Sequence, residues 1–513
     1  MSLGTLTSRI FGLIRDISLA FVFGASRVTD IFFIAYQIPS LFRKLLGEGA
    51  LSSAVVPVYT DIEENRPEEA QALASAAFTW AFVFSVGVTF LGIVGAELLV
   101  SVMALGFVFL PSESFQLTVE LTRVMFPFLI CMALASVVMG ILHAKKRFAP
   151  SAFAPVFLNI SLIASIWWLT PLLGSTPREK VWALVVGVLV GGFLQFFVQW
   201  WFLKDEEMSL SFSLDWNAPG LQRILKMMAP MTFGLAITQM IIVVDRMVAT
   251  FLFEGSVSYL YYSNRLFQFP FALIGIALGT VVLPESSSDA VRGDHDRIVA
   301  TTRESLGICS FLMIPSVVGL WMIGYPLIGL LFRSGNFDVV DQRITFAVLF
   351  FALVGLLAYG GIRIFVSICY SFEDTMGPVK AAFLALLVNA LLDVVLVWYW
   401  PLARYRVCGL ALAGSAAVWI QVWILRRRLF RHLPRVSLVP VRAAIRHLIG
   451  SLGMLAILYP IVINFEPLMT VVVGTLVGVV SYFLLTILMG DPFPSRVLAY
   501  AFGKEASKSY HDE

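Results

Sequence analysis

Basic side chains occur inside apolar segments that would otherwise be suited to a lipid bilayer. The five of them are Arg9, Arg15, Arg43, Lys44 and Arg265. An ionisable group at mid-bilayer costs at least about 2.5–3.5 kcal/mol, so it is expected to face protein or water instead of lipid. The acids of the same segments are fewer: Asp16, Asp30 and Glu48. The excess of cations predicts a cavity for an anionic ligand, and the forked guanidinium group suits a phosphate.

Internal ion pairing is the alternative explanation for these charges. Arg9 and Asp16 are seven residues apart and share a helix face, whereas Arg15 points about 100° away. Arg43 could likewise pair with Glu48, which lies between two glycines that loosen the helix. Pairing alone would still leave cations in excess, and an uncompensated buried charge is costly.

A second polar group predicts a cation site. Asn389 and Asp393 are four residues apart and therefore lie on one helix face. Asp245 is expected at the same depth as Asp393, about 10–12 Å below the outer surface at 1.5 Å per residue. Two carboxylates and an amide at that depth could bind Na⁺ or a proton. The alternative is a structural contact, either Asp245 with Arg246 or Asp393 with Asn389.

The sequence offers no pattern for bond-making chemistry. It has no nucleotide-binding loop, no metal-ligand spacing and no nucleophile motif. Its four cysteines are scattered singly through apolar segments, so we expect inert thiols. His447 lies in a basic stretch, which predicts an ordinary interfacial role. We therefore expect a transporter and not an enzyme, with no required cofactor and with coupling to Na⁺ or protons as the open question.

The elements that carry these residues are predicted to be membrane helices. Of 513 residues, 59% are hydrophobic and 13% charged, and the mean hydropathy is +0.87. Continuous apolar runs of about 20 residues predict an all-α polytopic protein of about fourteen transmembrane helices. The predicted spans are 3–24, 29–60, 72–105, 117–142, 151–173, 181–203, 221–253, 257–284, 299–333, 341–372, 378–400, 408–431, 441–464 and 468–489.

The distribution of Lys and Arg between the short loops predicts the orientation. Three basic stretches, 143–147, 292–297 and 426–446, are expected on the cytoplasmic side of the membrane. With an even number of spans, both termini are then cytoplasmic. The acidic stretch 61–69 is expected on the same side, because acidic residues weigh little in this rule.

An internal repeat relates the two halves of the predicted bundle. Residues 50–57 (ALSSAVVP) match residues 277–284 (ALGTVVLP) at an offset of 227. Later in the chain, Asn159 parallels Asn389 at an offset of 230. Matches in the same order at nearly one offset indicate a duplicated unit of six helices.

The repeat predicts two lobes related by pseudo-two-fold symmetry about the membrane normal. The predicted domains are an N-terminal lobe (1–215), a C-terminal lobe (216–436), and two C-terminal helices with a cytoplasmic tail (437–513). Two facing lobes suit transport by alternating access. Arg43 and Arg265 would occupy equivalent helices and face each other across the cleft.

Several short motifs follow one another along the chain in a characteristic order. They are SRIFGLIRD at 8–16, FGA at 23–25, LFRK at 41–44, GEGA at 47–50, GSVS at 255–258, YYSNR at 261–265 and GIALGT at 275–280. Together they resemble the MurJ/MviN family of lipid II flippases. The resemblance covers nearly the whole chain and weakens after about residue 430.

The resemblance implies a fold, a substrate and a set of binding residues. The fold is that of the multidrug/oligosaccharidyl-lipid/polysaccharide exporters with two additional C-terminal helices. The substrate is lipid II, the undecaprenyl-pyrophosphate-linked peptidoglycan precursor, moved from the cytoplasmic to the periplasmic leaflet of the bacterial inner membrane. The family's important charges correspond to Arg9, Arg15, Asp30, Arg43, Glu48 and Arg265. Asn264 departs from the pattern, because the family often has an acid there.

Other functions stay open at this stage. The chain could export another lipid-linked oligosaccharide, or drugs in exchange for cations, or it could be a membrane enzyme acting on polyprenyl phosphates. The expected partners are lipid II, with its pyrophosphate and polyprenyl tail, and the phospholipid bilayer. We expect no nucleic acid, a monomer, and contacts with the cell-wall synthesis machinery.

Overall fold

The computed structural model describes residues 2–45, 51–109, 112–204, 210–271, 289, 292–431, 433 and 440–501. Helices dominate these residues and no β-strand occurs among them, which confirms the predicted all-α fold class. Packing divides the chain into two compact units. The first comprises residues 1–258 with 334–338, and the second comprises residues 259–333 with 339–513.

The helices of the first unit vary in length from one turn to almost eight turns. They are α1 (Ser2–Phe23), α2 (Arg27–Phe42), α3 (Ser52–Asn65), α4 (Pro67–Val94), α5 (Ala96–Met103), α6 (Leu105–Val108), α7 (Ser112–Met125), α8 (Phe128–Ala144), α9 (Ala149–Ala164), α10 (Thr170–Leu173), α11 (Pro177–Lys204) and α12 (Leu221–Ala249). A π-helical segment, Ser165–Leu169, joins α9 to α10.

Helix α13 is described over residues 256–271, and its first turn lies at the end of the first unit. The helices that follow it belong to the second unit. They are α14 (His295–Phe332), α15 (Val339–Leu353), α16 (Leu356–Ser371), α17 (Met376–Tyr399), α18 (Val407–Leu429), α19 (Val441–Asn464), α20 (Pro467–Leu488) and α21 (Phe493–Ala501).

Ten helical segments of the described residues are long and apolar enough to cross a membrane. They are Pro67–Val94, Glu113–Ala144, Ala149–Leu173, Pro177–Lys204, His295–Phe332, Val339–Ser371, Met376–Tyr399, Ala403–Leu429, Val441–Asn464 and Pro467–Leu488. Each corresponds to one predicted span. The other four predicted spans, 3–24, 29–60, 221–253 and 257–284, carry all of the candidate charged residues except Asp393, which lies on Met376–Tyr399. The count of fourteen therefore stays a prediction.

A tight corner between α1 and α2 positions the charged helices of the first unit. Gly24 has a φ of +62°, and a Cβ atom there would lie 2.3 Å from the carbonyl oxygen of Asn336. Asn336 in turn donates its side-chain amide to the carbonyl of Val22 at 2.6 Å. Ser26 then caps α2 by accepting a hydrogen bond from the backbone of Thr29. Only glycine suits the corner, because it combines positive φ with close backbone approach.

Helix α9 is central to the first unit because it packs against both α1 and α11. Small residues allow the close approach to α11: a Cβ atom on Gly191 would lie 2.7 Å from the side chain of Leu158. Ser161 donates to the carbonyl of Gly187 at 2.9 Å. Small residues and interhelical hydrogen bonds are typical of helix packing in membranes.

The two C-terminal membrane helices pack against α14 inside the second unit. His447 on α19 is fully buried, with Nδ1 2.9 Å from the hydroxyl of Ser310 on α14. Its Nε2 lies 3.1 Å from the buried carboxylate of Asp491. The predicted interfacial role of His447 is therefore wrong, because a basic stretch of sequence does not reveal which helix face packs inward.

The compact units and the predicted domains are different divisions of the chain. Helix α12 belongs to the first unit, although it follows the predicted boundary at residue 215. Helices α19 and α20 belong to the second unit and form no unit of their own. The predicted domains rest on the sequence repeat and not on compactness, so they stay a prediction.

Candidate functional site

An ion pair on α1 forms the centre of the charged region in the first unit. The guanidinium of Arg15 donates to Asp16 Oδ1 from Nη2 at 2.6 Å and from Nε at 2.9 Å. Its Nη1 donates to Asn159 on α9 at 3.0 Å. Asn159 is anchored in turn, since its amide donates to the carbonyl of Ser8 at 3.2 Å. Arg15 is thus a largely buried cation, 11% exposed, whose orientation is fixed by three hydrogen bonds.

The ion-pair partner of Asp16 is not Arg9, the residue that the helix periodicity suggests. Asp16 is fully buried and pairs with Arg15, its neighbour in the chain, and not with Arg9. The long arginine side chain can fold back along the helix, so the 100° between consecutive residues does not prevent contact. Arg9 is half-buried and makes no hydrogen bond or ion pair with the residues that the structure describes.

Asp30 near the start of α2 is buried and holds the first turn of α13. Its Oδ2 accepts from the backbone N–H of Gly255 at 2.7 Å. Its Oδ1 accepts from the N–H of Ser258 at 2.8 Å and from the Ser258 hydroxyl at 2.7 Å. A carboxylate that accepts backbone N–H groups at a helix start is a strong N-cap. In this conformation Asp30 orients a helix, and its role in substrate binding stays a prediction.

The end of α2 widens into a π-helical turn over residues 43–45. Arg43 in this turn is half-buried, and Lys44 is exposed and donates to the side-chain amide of Gln239 at 3.2 Å. The carbonyl of Leu45 accepts from Thr232 at 3.2 Å. Such turns are frequent at functional sites. Glu48 lies outside the described residues.

Arg265 belongs to the second unit, on α13. Its side chain is half-buried, and its Cζ atom lies 5.8 Å from the centre of the Tyr261 ring, one turn earlier. This distance is that of a cation–π contact. The neighbouring Asn264 is exposed. Because Arg43 and Arg265 belong to different units, their predicted opposition across a cleft stays a prediction.

The predicted cation ligands also belong to different units. Asn389 and Asp393 on α17 are fully buried, and the amide of Asn389 donates to Asp393 Oδ2 at 2.7 Å. The structure thus contains the contact considered as the structural alternative. Asp245 lies on α12 in the first unit and is half-buried. A site shared by Asp245 and Asp393 stays a prediction.

Two ion pairs connect the acidic stretch 61–69 with basic residues of the first unit. Lys145 lies 2.9 Å from Glu63, and Arg223 lies 2.7 Å from Asp61. The hydrogen bond from Arg223, assisted by one from Asn65, holds the pKa of the Asp61 carboxyl below its usual value. The acidic stretch and the basic stretch 143–147 therefore lie at the same end of this unit, as the sequence predicts.

The comparisons with known proteins decide the family. A family model described as "Lipid II flippase MurJ" matches residues 19–490. The chain belongs to the MurJ family.

Curated relatives of this MurJ-family chain match most of its length. The lipid II flippase MurJ of Burkholderia cenocepacia is 36% identical over 402 residues, which are 77% of this chain and 76% of the relative. The probable lipid II flippase MurJ of Bdellovibrio bacteriovorus is 31% identical over 506 residues, 97% of this chain and 95% of the relative. Arg9 and Arg15 precede the range of the family model, whereas this second alignment leaves little of the chain uncovered.

Solved structures of related proteins have the same fold as this chain. A structure described as lipid II flippase MurJ in an inward closed conformation has a TM-score of 0.78 and 27% identity, covering 98% of this chain and 99% of that one. An inward-facing multidrug transporter of the MATE family has a TM-score of 0.67 at 15% identity, covering 83% and 95%. The second likeness shows the fold alone, and it confirms the exporter fold implied by the motifs.

Two contacts of this MurJ-family chain are not among those that the sequence predicts. The sequence relates Asn159 to Asn389 by the repeat, and a polar amide inside an apolar run also signals a buried partner. Ser258 lies in the motif GSVS, and such a motif before a helix is an N-terminal signal. The two asparagines related by the repeat each hydrogen-bond a charged side chain: Asn159 accepts from Arg15, and Asn389 donates to Asp393.

No group of three or more His, Cys, Asp or Glu side chains that could hold a metal ion occurs among the described residues. Three of the four cysteines, Cys309, Cys369 and Cys408, are buried, and Cys131 is half-buried. The MurJ family, whose model is described as that of a lipid II flippase, is one of transporters and not of enzymes.

Proposed function

We propose that this chain is a flippase that moves lipid II from the cytoplasmic to the periplasmic leaflet for cell-wall synthesis. Membership of the MurJ family supports the substrate. The observation that carries the proposal is the guanidinium of Arg15 on α1, which is 11% exposed and is oriented by Asp16 and Asn159. An oriented guanidinium loses little conformational entropy when it binds the diphosphate of the lipid.

The proposed mechanism is alternating access around an anion clamp. The diphosphate of lipid II is received by Arg9, Arg15, Arg43 and Arg265, with Asp30 and Glu48 as further polar residues of the path. The polyprenyl tail stays in lipid beside α19 and α20, whose outer faces carry exposed apolar side chains such as Leu452 and Leu476. The membrane potential can drive the return step, since one charge is worth about 2.3 kcal/mol per 100 mV.

Orientation and coupling are further parts of the proposal. The chain is a multi-pass membrane protein of the bacterial inner membrane, and the basic loops support cytoplasmic termini. The acidic stretch 61–69, which pairs with basic residues at the same end, does not oppose this orientation. Asp245, Asn389 and Asp393 are proposed to bind Na⁺ or a proton that couples to transport. A monomeric state and contacts with the cell-wall synthesis machinery stay predictions.

The experiment is a translocation assay in liposomes that contain lipid II and the purified chain. A probe added outside reports lipid II that has reached the outer leaflet. We expect rapid exposure with the unaltered chain and loss of it in Arg15→Ala and Arg265→Ala. Arg123→Ala is the matched control, because Arg123 pairs with Glu97 at 2.9 Å and is 41% exposed. Normal translocation by Arg15→Ala and Arg265→Ala would refute the clamp.

A further inference from the structure

A pocket lies between α8, α9 and α11 in the first unit, apart from the ion pair of α1. Its cavity volume is about 200 Å³. The polar residues that line it are Ser136 on α8, Ser151 on α9, and Gln195 and Gln199 on α11. Met132 and Pro155 contribute apolar atoms to the lining. None of the described residues that line it is charged, so it is suited to a neutral ligand.

Two buried glutamines give this pocket its polar character. Gln195 and Gln199 are four residues apart on α11 and are 6% and 2% exposed. The side-chain oxygens of both have no hydrogen-bond partner among the described residues. The amide nitrogen of Gln199 donates to the backbone carbonyl of Gln195 at 3.2 Å. A buried polar atom without a partner is costly, and the pocket is the adjoining space from which a partner can come.

One serine of the pocket adds a hydrogen-bond acceptor. The hydroxyl of Ser136 donates to the carbonyl of Met132 at 2.8 Å, which leaves its oxygen to accept. The hydroxyl of Ser151 donates to the carbonyl of Phe148 at 2.9 Å, and its oxygen already lies 2.7 Å from His143 Nε2. Pro155 has no N–H, so the carbonyl of Ser151 lacks its usual helical partner. The lining therefore offers a ligand mainly acceptor oxygens.

The pocket is close to the ion pair along α9. Pro155 lines the pocket, and Asn159, which holds Arg15, lies four residues further on the same helix face. Four residues correspond to a rise of about 6 Å. A molecule with an anionic group at Arg15 and a neutral group next to it could therefore occupy both places.

We propose that this pocket binds a secondary amide of the lipid-linked substrate, as found in an N-acetylated sugar or in a peptide. A secondary amide carries one N–H donor and one carbonyl acceptor. The side chain of glutamine offers the complementary acceptor and donor, so the two can form a reciprocal pair. The inference rests on the proposed function, because peptidoglycan precursors carry N-acetylated sugars and a peptide beside their diphosphate.

The test compares affinities of the purified full-length chain for two lipids. One is lipid II, and the other is undecaprenyl diphosphate without sugar or peptide. The variant is Gln195→Met with Gln199→Met, which keeps the side-chain shape and removes the amides. We expect its Kd for lipid II to rise about tenfold, the effect of about one hydrogen bond. Its Kd for undecaprenyl diphosphate should stay unchanged.

Controls distinguish a loss of binding in the pocket from misfolding and from failure of the proposed function, and they identify the bound amide. Gln421→Met, at a buried glutamine of α18, should leave both affinities unchanged, and all variants should keep the melting temperature. A lipid-linked disaccharide without peptide identifies which amide is bound. If the double variant also has a raised Kd for this lipid, the pocket binds the amide of the sugar. If its Kd equals that of the unaltered chain, the pocket binds the peptide. Equal affinities of variant and unaltered chain for lipid II, or equal losses for both lipids, would overturn the pocket proposal. Failure of the unaltered chain to bind lipid II would overturn the proposed function itself.

Discussion

The carboxylate of Asp30 accepts two hydrogen bonds from Ser258, one from its backbone N–H at 2.8 Å and one from its hydroxyl at 2.7 Å. A residue of α2 thereby fixes the start of α13, the helix that carries Arg265. Gly255 adds a third hydrogen bond to Asp30 with a φ of +84°, a conformation that favours glycine. One buried acid therefore caps the first turn of α13.

Replacing Asp30 by asparagine tests this orienting role. Asp30→Asn removes the charge and one acceptor oxygen, so buried donors of Gly255 or Ser258 lose their partner. We expect the free energy of unfolding to fall by about 1–3 kcal/mol, as for the loss of a buried cap. Unfolding of the purified chain in detergent measures it. Glu254→Gln, at an exposed acid of the same loop, should have no effect. An unchanged stability of Asp30→Asn would mean that the cap is dispensable.

Asn159 provides a test of whether the orientation of Arg15 matters for transport. Asn159→Leu removes the acceptor of Arg15 Nη1 but leaves the arginine and its pair with Asp16 in place. We expect lipid II translocation to slow about tenfold, since one hydrogen bond to a charged group is lost. Ser161→Ala on the same helix, which loses only a bond to Gly187, is the control. Equal rates for Asn159→Leu and the unaltered chain would show that the arginine needs no such support.

The buried contact of His447 with Asp491 is expected to stabilise the second unit. The Ser310 hydroxyl donates to the carbonyl of Gly307 at 2.9 Å, so it accepts from His447 Nδ1. The other ring nitrogen lies 3.1 Å from the carboxylate of Asp491. Asp491→Leu alone should lower stability by about 3–5 kcal/mol, the cost of breaking a buried pair.

A double variant decides whether that loss comes from the pair. His447→Leu with Asp491→Leu removes both members of the pair, so it should recover part of the stability lost by the single change. The recovery stays partial because the N–H of Phe493 loses its acceptor on Asp491. Thermal unfolding of the three variants gives the comparison. If the two single losses simply add, the residues act independently and the contact contributes nothing.

Asp393 tests the proposed coupling ion. The rate of lipid II translocation is measured at several Na⁺ concentrations and several pH values. Asp393→Asn should abolish the dependence of this rate on either Na⁺ or pH, because it removes the carboxylate at the site. Asp341→Asn is the control, since Asp341 is a buried acid of the same unit that accepts a bond from Tyr259 at 2.8 Å. Unchanged ion dependence in Asp393→Asn would assign Asp393 and Asn389 a structural role only.

The residues that could be predicted from the sequence are those whose chemistry conflicts with their surroundings. Arg9, Arg15 and Asp393 stand out because charges rarely lie in apolar runs, and the structure places all three on helices. Ten of the predicted spans coincide with helices that are long and apolar enough to cross a membrane. They could be predicted because length and hydropathy are local properties of the sequence. The all-α fold class follows directly from such segments.

The partners of these residues could not be predicted, because tertiary packing determines them. Asp16 pairs with Arg15 although helix geometry favours Arg9, and Asn159 reaches Arg15 from a helix that begins more than a hundred residues later. His447 was assigned to the interface from its basic neighbours, but the packing of α19 on α14 buries it. Asp30 was assigned to the substrate, yet it holds α13 through a contact 228 residues along the chain.

The most direct test of the anion clamp compares two substrates that differ by one phosphate. Translocation of lipid II is measured beside that of the same head group joined to the polyprenyl chain through a monophosphate. We expect the unaltered chain to move the diphosphate lipid at least about tenfold faster, the value of one charge-assisted hydrogen bond, and Arg15→Ala to lose this preference. Equal rates for both lipids in the unaltered chain, or a preference that survives in Arg15→Ala, would contradict the binding of the diphosphate by Arg15.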